Sequence, residues 1–316
     1  MTSTAFAALI IILLGWLLGH LGVLARDAGQ ILVRIVIYAA LPALVFRAMI
    51  VNNFDASMIL APVVGLVSHV IIVALAYWLA QARKLDRRST GALIVASAVG
   101  NTGFFGIPLI ASAAEHGSQV SLSAAVMFDT FSTGIITWTS SMWFAARFGN
   151  SSDSDAPSGE RLWRNLLLPP IWGVAAGLAL HSAGVRSLPE LIDQPARILG
   201  AAVLPLVMLY AGLELDWGGV RRAWRDVAWA SALRLIVGPV LAFVIAVTLG
   251  LEGDVLRTVV LMGAMPTAMM SLVIGGWFKL RTDIIAGSVV VTALLVPVML
   301  PLLDEHVIPY LMRTFT

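Results

Sequence analysis

The sequence of 316 residues contains no cysteine, which excludes disulfides, iron–sulfur clusters and cysteine-ligated zinc. Charge is scarce as well. Lys and Arg number 20 and Asp and Glu 18, or 12% of the chain, where a soluble domain carries about 25%. That is too little to coat a globule of this size in water, so a soluble enzyme is excluded. A net charge of +2 spread over the whole length forms no basic patch, and no nucleic-acid partner is expected. Gly-x-x-x-x-Gly-Lys-Ser/Thr is absent, as are His-Glu-x-x-His and paired-Asp motifs, so neither a P-loop pump nor a zinc hydrolase is indicated. No cofactor or metal is expected.

Apolar residues are abundant. They make up 59% of the chain, and mean hydropathy is +0.92. The fold class is an all-α polytopic membrane protein in a lipid bilayer. A crossing needs about 20 apolar residues. Segments near Ala5–Leu24, Ile31–Ile50, Met58–Ala80, Gly91–Ala114 and Val120–Ala146 have about that length. After a polar stretch, five more follow near Leu166–Ala183, Ala196–Leu215, Val227–Leu249, Leu256–Phe278 and Ile284–Leu303. The reading is ten transmembrane helices, divided into residues 1–147, a cytoplasmic loop at 148–165, and residues 166–316.

Fourteen basic residues, among them Arg83, Lys84, Arg87 and Arg88, follow odd-numbered spans, and five lie on the other side. Positive loops stay in the cytoplasm, so both termini are expected outside it.

The two halves share landmarks. Gly15 and Gly19 match Gly173 and Gly177, Pro42 matches Pro205, and Gly or Pro interrupts both the fourth span (Gly100–Pro108) and the ninth (Met265-Pro266-Thr267). Five spans per half make the second repeat inverted, and paired broken helices in inverted halves point to a midplane site. A broken helix exposes N–H groups and a partial positive charge where its second half begins. Pro108 and Pro266 suit the first turn of a restarted helix. With Asn101, Thr102 and Thr267 beside those ends, the spacing predicts a site for a small organic anion.

These residues also resemble a known family. Gly100-Asn101-Thr102-Gly103-Phe104-Phe105-Gly106-Ile107-Pro108-Leu109 is similar to the fourth-span signature of the auxin efflux carriers. Leu-Pro-Ala-Leu in the second span, Ala264–Ala268, and Arg234 followed by Pro239 match the same family. The resemblance implies a bacterial inner-membrane carrier related to bile-acid transporters and sodium/proton antiporters. Spans one, two, six and seven would form a scaffold that dimerises. Spans three to five and eight to ten would move as an elevator with crossed fourth and ninth helices. Plant members have Pro where Gly100 stands and a longer cytoplasmic loop, which favours malonate-like organic acids over an auxin-like aromatic acid.

The substrate-binding candidates are Asn101, Thr102, Gly103, Pro108, Met265, Pro266 and Thr267. Leu41, Phe46, Met208 and Tyr210 are added from the scaffold. Asp129 and Arg234 lie inside spans, where a charge costs about 2.5–3.5 kcal/mol on insertion scales. They are expected to pair, either as a static clamp or as a proton-coupling device. His69 is read either as a proton site or as a hydrogen-bonded packing residue. An ion channel, or an intramembrane enzyme built on Asp129 or His69, is the alternative reading of the whole.

Overall fold

The structure, a computed structural model, describes residues 2–24, 26–51, 56–115, 117, 120–150, 169–215 and 217–315. Residues 151–165 of the loop expected over 148–165, and the opening of the sixth span at 166–168, lie outside the described residues. Lipid offers backbone groups no hydrogen bonds, so an apolar chain must satisfy them internally, and the described residues are almost wholly helical. The helices are α1 (Thr2–His20), α2 (26–51), α3 (Ala61–Ala82), α4 (Arg87–Ala98), α5 (102–115), α6 (122–138) and α7 (Ser140–Phe148). After the undescribed stretch come α8 (Pro169–Ser182), α9 (Glu190–Leu213), α10 (Trp217–Thr248), α11 (Gly253–Gly263), α12 (Met270–Trp277) and α13 (282–315).

Among the described residues five helices are long and apolar enough to cross a membrane: Ala28–Val51, Ser57–Ala82, Glu190–Leu213, Trp217–Thr248 and Thr282–Thr314. Phe6–His20 is shorter. The expected fourth and ninth spans are each split, into α4 with α5 and α11 with α12. The fifth is bent at Thr139, whose φ of −112° and ψ of −83° leave the helical region between α6 and α7.

Close approach of backbones organises one part of the fold. α1 runs along α9, and α8 runs along α2. A Cβ on Gly15 would strike the Leu209 carbonyl, and one on Gly212 the Ile12 carbonyl. In the second pair, a Cβ on Gly173 would come within 2.7 Å of the Pro42 carbonyl and one on Gly177 within 2.8 Å of the Phe46 carbonyl. Glycine is therefore required at these contacts by packing, as in membrane helix pairs generally. Among the remaining helices α3 packs on α4 as α10 packs on α11, and α13 packs on α4 as α6 packs on α11.

Local signals place several ends. Asp86 caps α4 by accepting from the Ser89 N–H at 3.0 Å, and Ser121 caps α6 from the Ala124 N–H at 3.2 Å. At one end of the molecule Arg83 pairs with Asp226 at 2.5 Å, Arg88 donates to the Lys279 carbonyl, and Arg87 donates to the Arg147 carbonyl. The basic loops singled out in the sequence thus meet on one face.

Among the described residues five π-helical turns widen the helices, at Val36–Ala40, Thr102–Gly106, Asp129–Thr133, Leu233–Val237 and Leu303–Val307. Three of them carry an ionisable residue of the helix interior: Asp129, Arg234 or Asp304. Such turns collect at functional positions because the extra residue re-aims a side chain.

Replacing Gly212 with Leu should force α1 and α9 apart, costing about 3 kcal/mol by overpacking and lowering the melting temperature of purified protein. Gly276→Ala, where no atom lies within 4 Å of the added Cβ, should stay within about 0.5 kcal/mol of the parent.

Candidate functional site

Helix α4 ends at Ala98 because Val99 turns to extended backbone, with φ −99° and ψ 112°. Across from it, α11 ends at Gly263. The two interrupted segments then pair like a fragment of antiparallel sheet. The Asn101 N–H donates to the Pro266 carbonyl at 2.7 Å, and the Ala268 N–H donates to the Val99 carbonyl at 2.9 Å, setting Gly100 opposite Thr267. Side chains reinforce the crossing. The Thr267 hydroxyl donates to the Ala96 carbonyl at 2.9 Å, and its N–H is received by the Thr292 hydroxyl at 2.9 Å.

Arg234 seals one side of the crossing. It is 5% exposed, and its guanidinium donates to the carbonyls of Met265 at 2.9 Å, Gly263 at 2.8 Å and Ala98 at 3.4 Å. These carbonyls lie at or just beyond the C-terminal ends of α4 and α11, where unpaired oxygens carry partial negative charge. The cation is therefore compensated by two helix ends. No ion pair joins it to Asp129, which corrects the expected pairing: the carbonyl ends of two half-helices outcompete a single carboxylate on a neighbouring helix.

The other side of the crossing holds the starts of α5 and α12. The N–H groups of Thr102, Gly103 and Phe104, and those of Met269 and Met270, make no hydrogen bond among the described residues. Asn101 is 4% exposed, and its side-chain amide is likewise without a hydrogen bond there. Asp129 stands at the start of α5, where one of its carboxylate oxygens accepts from the Thr102 hydroxyl at 2.6 Å. A Cβ on Gly103 would come within 3.0 Å of that carboxylate, so glycine leaves the space it occupies. The site thus combines unclaimed donors, one carboxylate and a neutral amide.

Residues 2–303 match the membrane transport protein family profile. The chain belongs to that family. It is 31% identical over 304 residues to an uncharacterized transporter of Methanothermobacter thermautotrophicus, covering 95% of this chain and 96% of the relative. It is 24% identical to the Escherichia coli uncharacterized transporter YfdV, over 90% of this chain and 91% of that protein. Auxin efflux carrier component 1 of Arabidopsis thaliana is 27% identical over 140 residues, which cover 41% of this transporter and 22% of the plant protein.

Glycine at position 100 has a local cause in this transporter. A Cβ there would come within 2.8 Å of Arg234 Nη2, so a guanidinium on α10 and a side chain at position 100 compete for one space.

Other expected site residues fall as follows. Pro108 belongs to the α-helical stretch Ile107–Glu115, but the restart begins earlier, at the π turn Thr102–Gly106. Pro266 lies within the break and serves through its carbonyl, four residues ahead of α12. Neither proline opens a restarted helix, because π geometry and the paired segments take up the transition instead. Met265 is buried, and it holds Arg234 through its carbonyl. Leu41 and Met208 are buried in one apolar cluster with Phe105, Met265 and Met269, and Tyr210 packs against it. Helix α9 lies against α5 and so covers the crossing from the α1, α2, α8 and α9 side. Phe46 is half-buried and outside that cluster. His69 has both ring nitrogens engaged, Nε2 with the Ser140 hydroxyl at 2.6 Å and Nδ1 with the Ala98 carbonyl at 3.4 Å.

One buried charge escaped the sequence reading. Asp304, 1% exposed, receives Arg257 Nε at 2.5 Å and offers its carbonyl to Nη2 at 3.1 Å, tying α11 to α13. Its signal was an acidic residue at the very end of the apolar run Ile284–Leu303.

Gly100→Ala should destabilise the transporter by about 1–3 kcal/mol through the guanidinium contact. Adding Arg234→Lys should recover part of that loss, because it removes Nη2. A double-mutant cycle on thermal stability reads the coupling, and strict additivity would contradict it.

Proposed function

We propose that this transporter is a secondary carrier of a small organic anion, a malonate-like carboxylate or an auxin-like aromatic acid, bound where α5 and α12 begin. The observation that carries the reading is the set of five unclaimed N–H groups and the unclaimed Asn101 amide at one buried crossing. A carboxylate accepts several such bonds at once, and the positive ends of two half-helices favour its charge. The hydroxyls of Thr102 and Thr267 are committed to Asp129 and Ala96, which leaves Asn101 as the principal side-chain contact.

The carrier works by elevator-type alternating access. The matched packing of α1 on α9 and α8 on α2 supports two inverted five-span repeats with a scaffold of spans one, two, six and seven. The scaffold dimerises, and the crossing moves with spans three to five and eight to ten. The clustering of Arg83, Arg87 and Arg88 with Arg147 and Lys279 supports a cytoplasmic face there, with both termini outside the cytoplasm of a bacterial inner membrane.

Asp129 shares the start of α5 with the proposed anion. Ionised, it repels a second carboxylate; protonated, it can donate to one. Substrate and proton are thereby linked at this residue, and the static-clamp role does not fit a carboxylate held by one threonine hydroxyl.

Carboxylates should raise the melting temperature of purified protein. At a hundred times its dissociation constant, a ligand adds about 2.7 kcal/mol. Asn101→Ala should abolish the shift, and a shift that survives intact removes Asn101 from the site. In proteoliposomes the same carboxylate should show saturable counterflow, whereas single-channel currents would make the protein a channel. Asp129→Asn should fold and transport but lose its response to a pH gradient. An unchanged response would exclude Asp129 from coupling.

A further inference from the structure

A cavity of about 130 Å³ lies between α2, α5 and α9. Leu44 and Arg47 of α2, Pro108 and Glu115 of α5, and Arg197 and Pro205 of α9 face it. It therefore lies between the proposed scaffold and the half-helix that begins at the crossing. The two scaffold helices are already tied here, because Arg47 Nε donates to one oxygen of Asp193 at 2.7 Å and Nη2 to the other at 3.2 Å. That pairing leaves Arg197, one helical turn beyond Asp193, as the uncommitted cation of α9. Glu115 stands across the cavity at the end of α5. Both are exposed, and neither has an ion-pair partner among the described residues. Glu115 also faces a neighbouring cleft of about 810 Å³ lined by Glu252 and Asp254 as well as by Arg47, whose charge Asp193 already compensates.

We propose that Glu115 and Arg197 form an ion pair that latches this end of the transporter shut when α5 shifts along α9. The inference rests on the elevator reading and adds to it a named contact between the moving and fixed parts. Opposite charges on the two sides of a cavity attract across it, and a shift of α5 along α9 changes their separation. Arg47 cannot take the same part, since its fork is held bidentate by Asp193 on the scaffold itself. An exposed pair of this kind is weak, which suits a latch that must open in every cycle.

Cysteine-free sequence makes the test direct. Ser112→Cys, which lies at the same cavity, reports opening by its rate of reaction with a polar maleimide in nanodiscs, where both faces are reachable. Glu115→Gln or Arg197→Gln should raise that rate roughly threefold, the shift an exposed ion pair produces in a two-state equilibrium. The exchange Glu115→Arg with Arg197→Glu should return it to the parent rate. Equal rates in all variants, or an exchange no better than the single changes, would overturn the latch. A second reporter, Leu272→Cys in the cavity beside Arg88 and Arg281, tests the underlying motion. Its labelling should fall as that of Ser112→Cys rises. If it stays constant while Ser112→Cys follows the charge exchange, the elevator reading fails and the pair stands as a local lid.

Discussion

The interaction on which the rest depends is the backbone pairing of residues 99–101 with residues 266–268, closed on one side by Arg234. Two broken helices at membrane depth are costly, because each break leaves carbonyls at one end and amides at the other without partners. Pairing the broken segments satisfies part of this. The guanidinium then answers the carbonyl ends, which carry roughly half a negative charge each, so that one cation balances two helices. The amide ends have no such built-in partner. The crossing is therefore closed on one side, while on the other five N–H groups make no hydrogen bond among the described residues.

The π turns explain how charged residues reach these positions. A regular helix would spread successive side chains at fixed angles, whereas an extra residue per turn rotates one of them out of register. Asp129 opens one such turn and Arg234 lies within another, so each is aimed by a local widening of its helix. Asp304 is brought to Arg257 in the same way. Close glycine contacts do the complementary work between α1 and α9 and between α8 and α2, where regular helices meet at short range.

Hydrophobic run length, glycine spacing and the positions of the breaks were legible in the sequence because each depends on local chemistry. Asn101 could be singled out for the same reason, as a polar side chain in an interrupted apolar span. The partners of Arg234 could not. Its carbonyls lie about thirty residues away at Gly263 and Met265 and farther still at Ala98, and no side-chain pattern marks a backbone oxygen as an acceptor. An opposite charge inside another span was the natural expectation, yet Asp129 belongs to the far side of the crossing. The π turns were equally hidden, since sequences of α and π turns differ little in composition. Pro266 misled for a related reason: proline fits the start of a helix, but it also tolerates a break in which its missing N–H is not needed, while Pro108 follows a restart already made by the π turn Thr102–Gly106.

The charge arrangement narrows how an anion can be carried. A buried cation at the substrate position would bind a carboxylate strongly and release it slowly, while helix ends supply a field without a mobile charge. Arg234 is turned away from that role by its carbonyls, so its charge is spent on holding the crossing together. Asp129 is the reverse case, a negative charge set at the positive helix end where the anion is proposed to bind. Whatever occupies the start of α5 must therefore contend with a carboxyl group whose only hydrogen bond among the described residues is to Thr102. In the proposed carrier, proton uptake on that group and anion binding beside it would favour one another, and by linkage each would strengthen the other to the same degree.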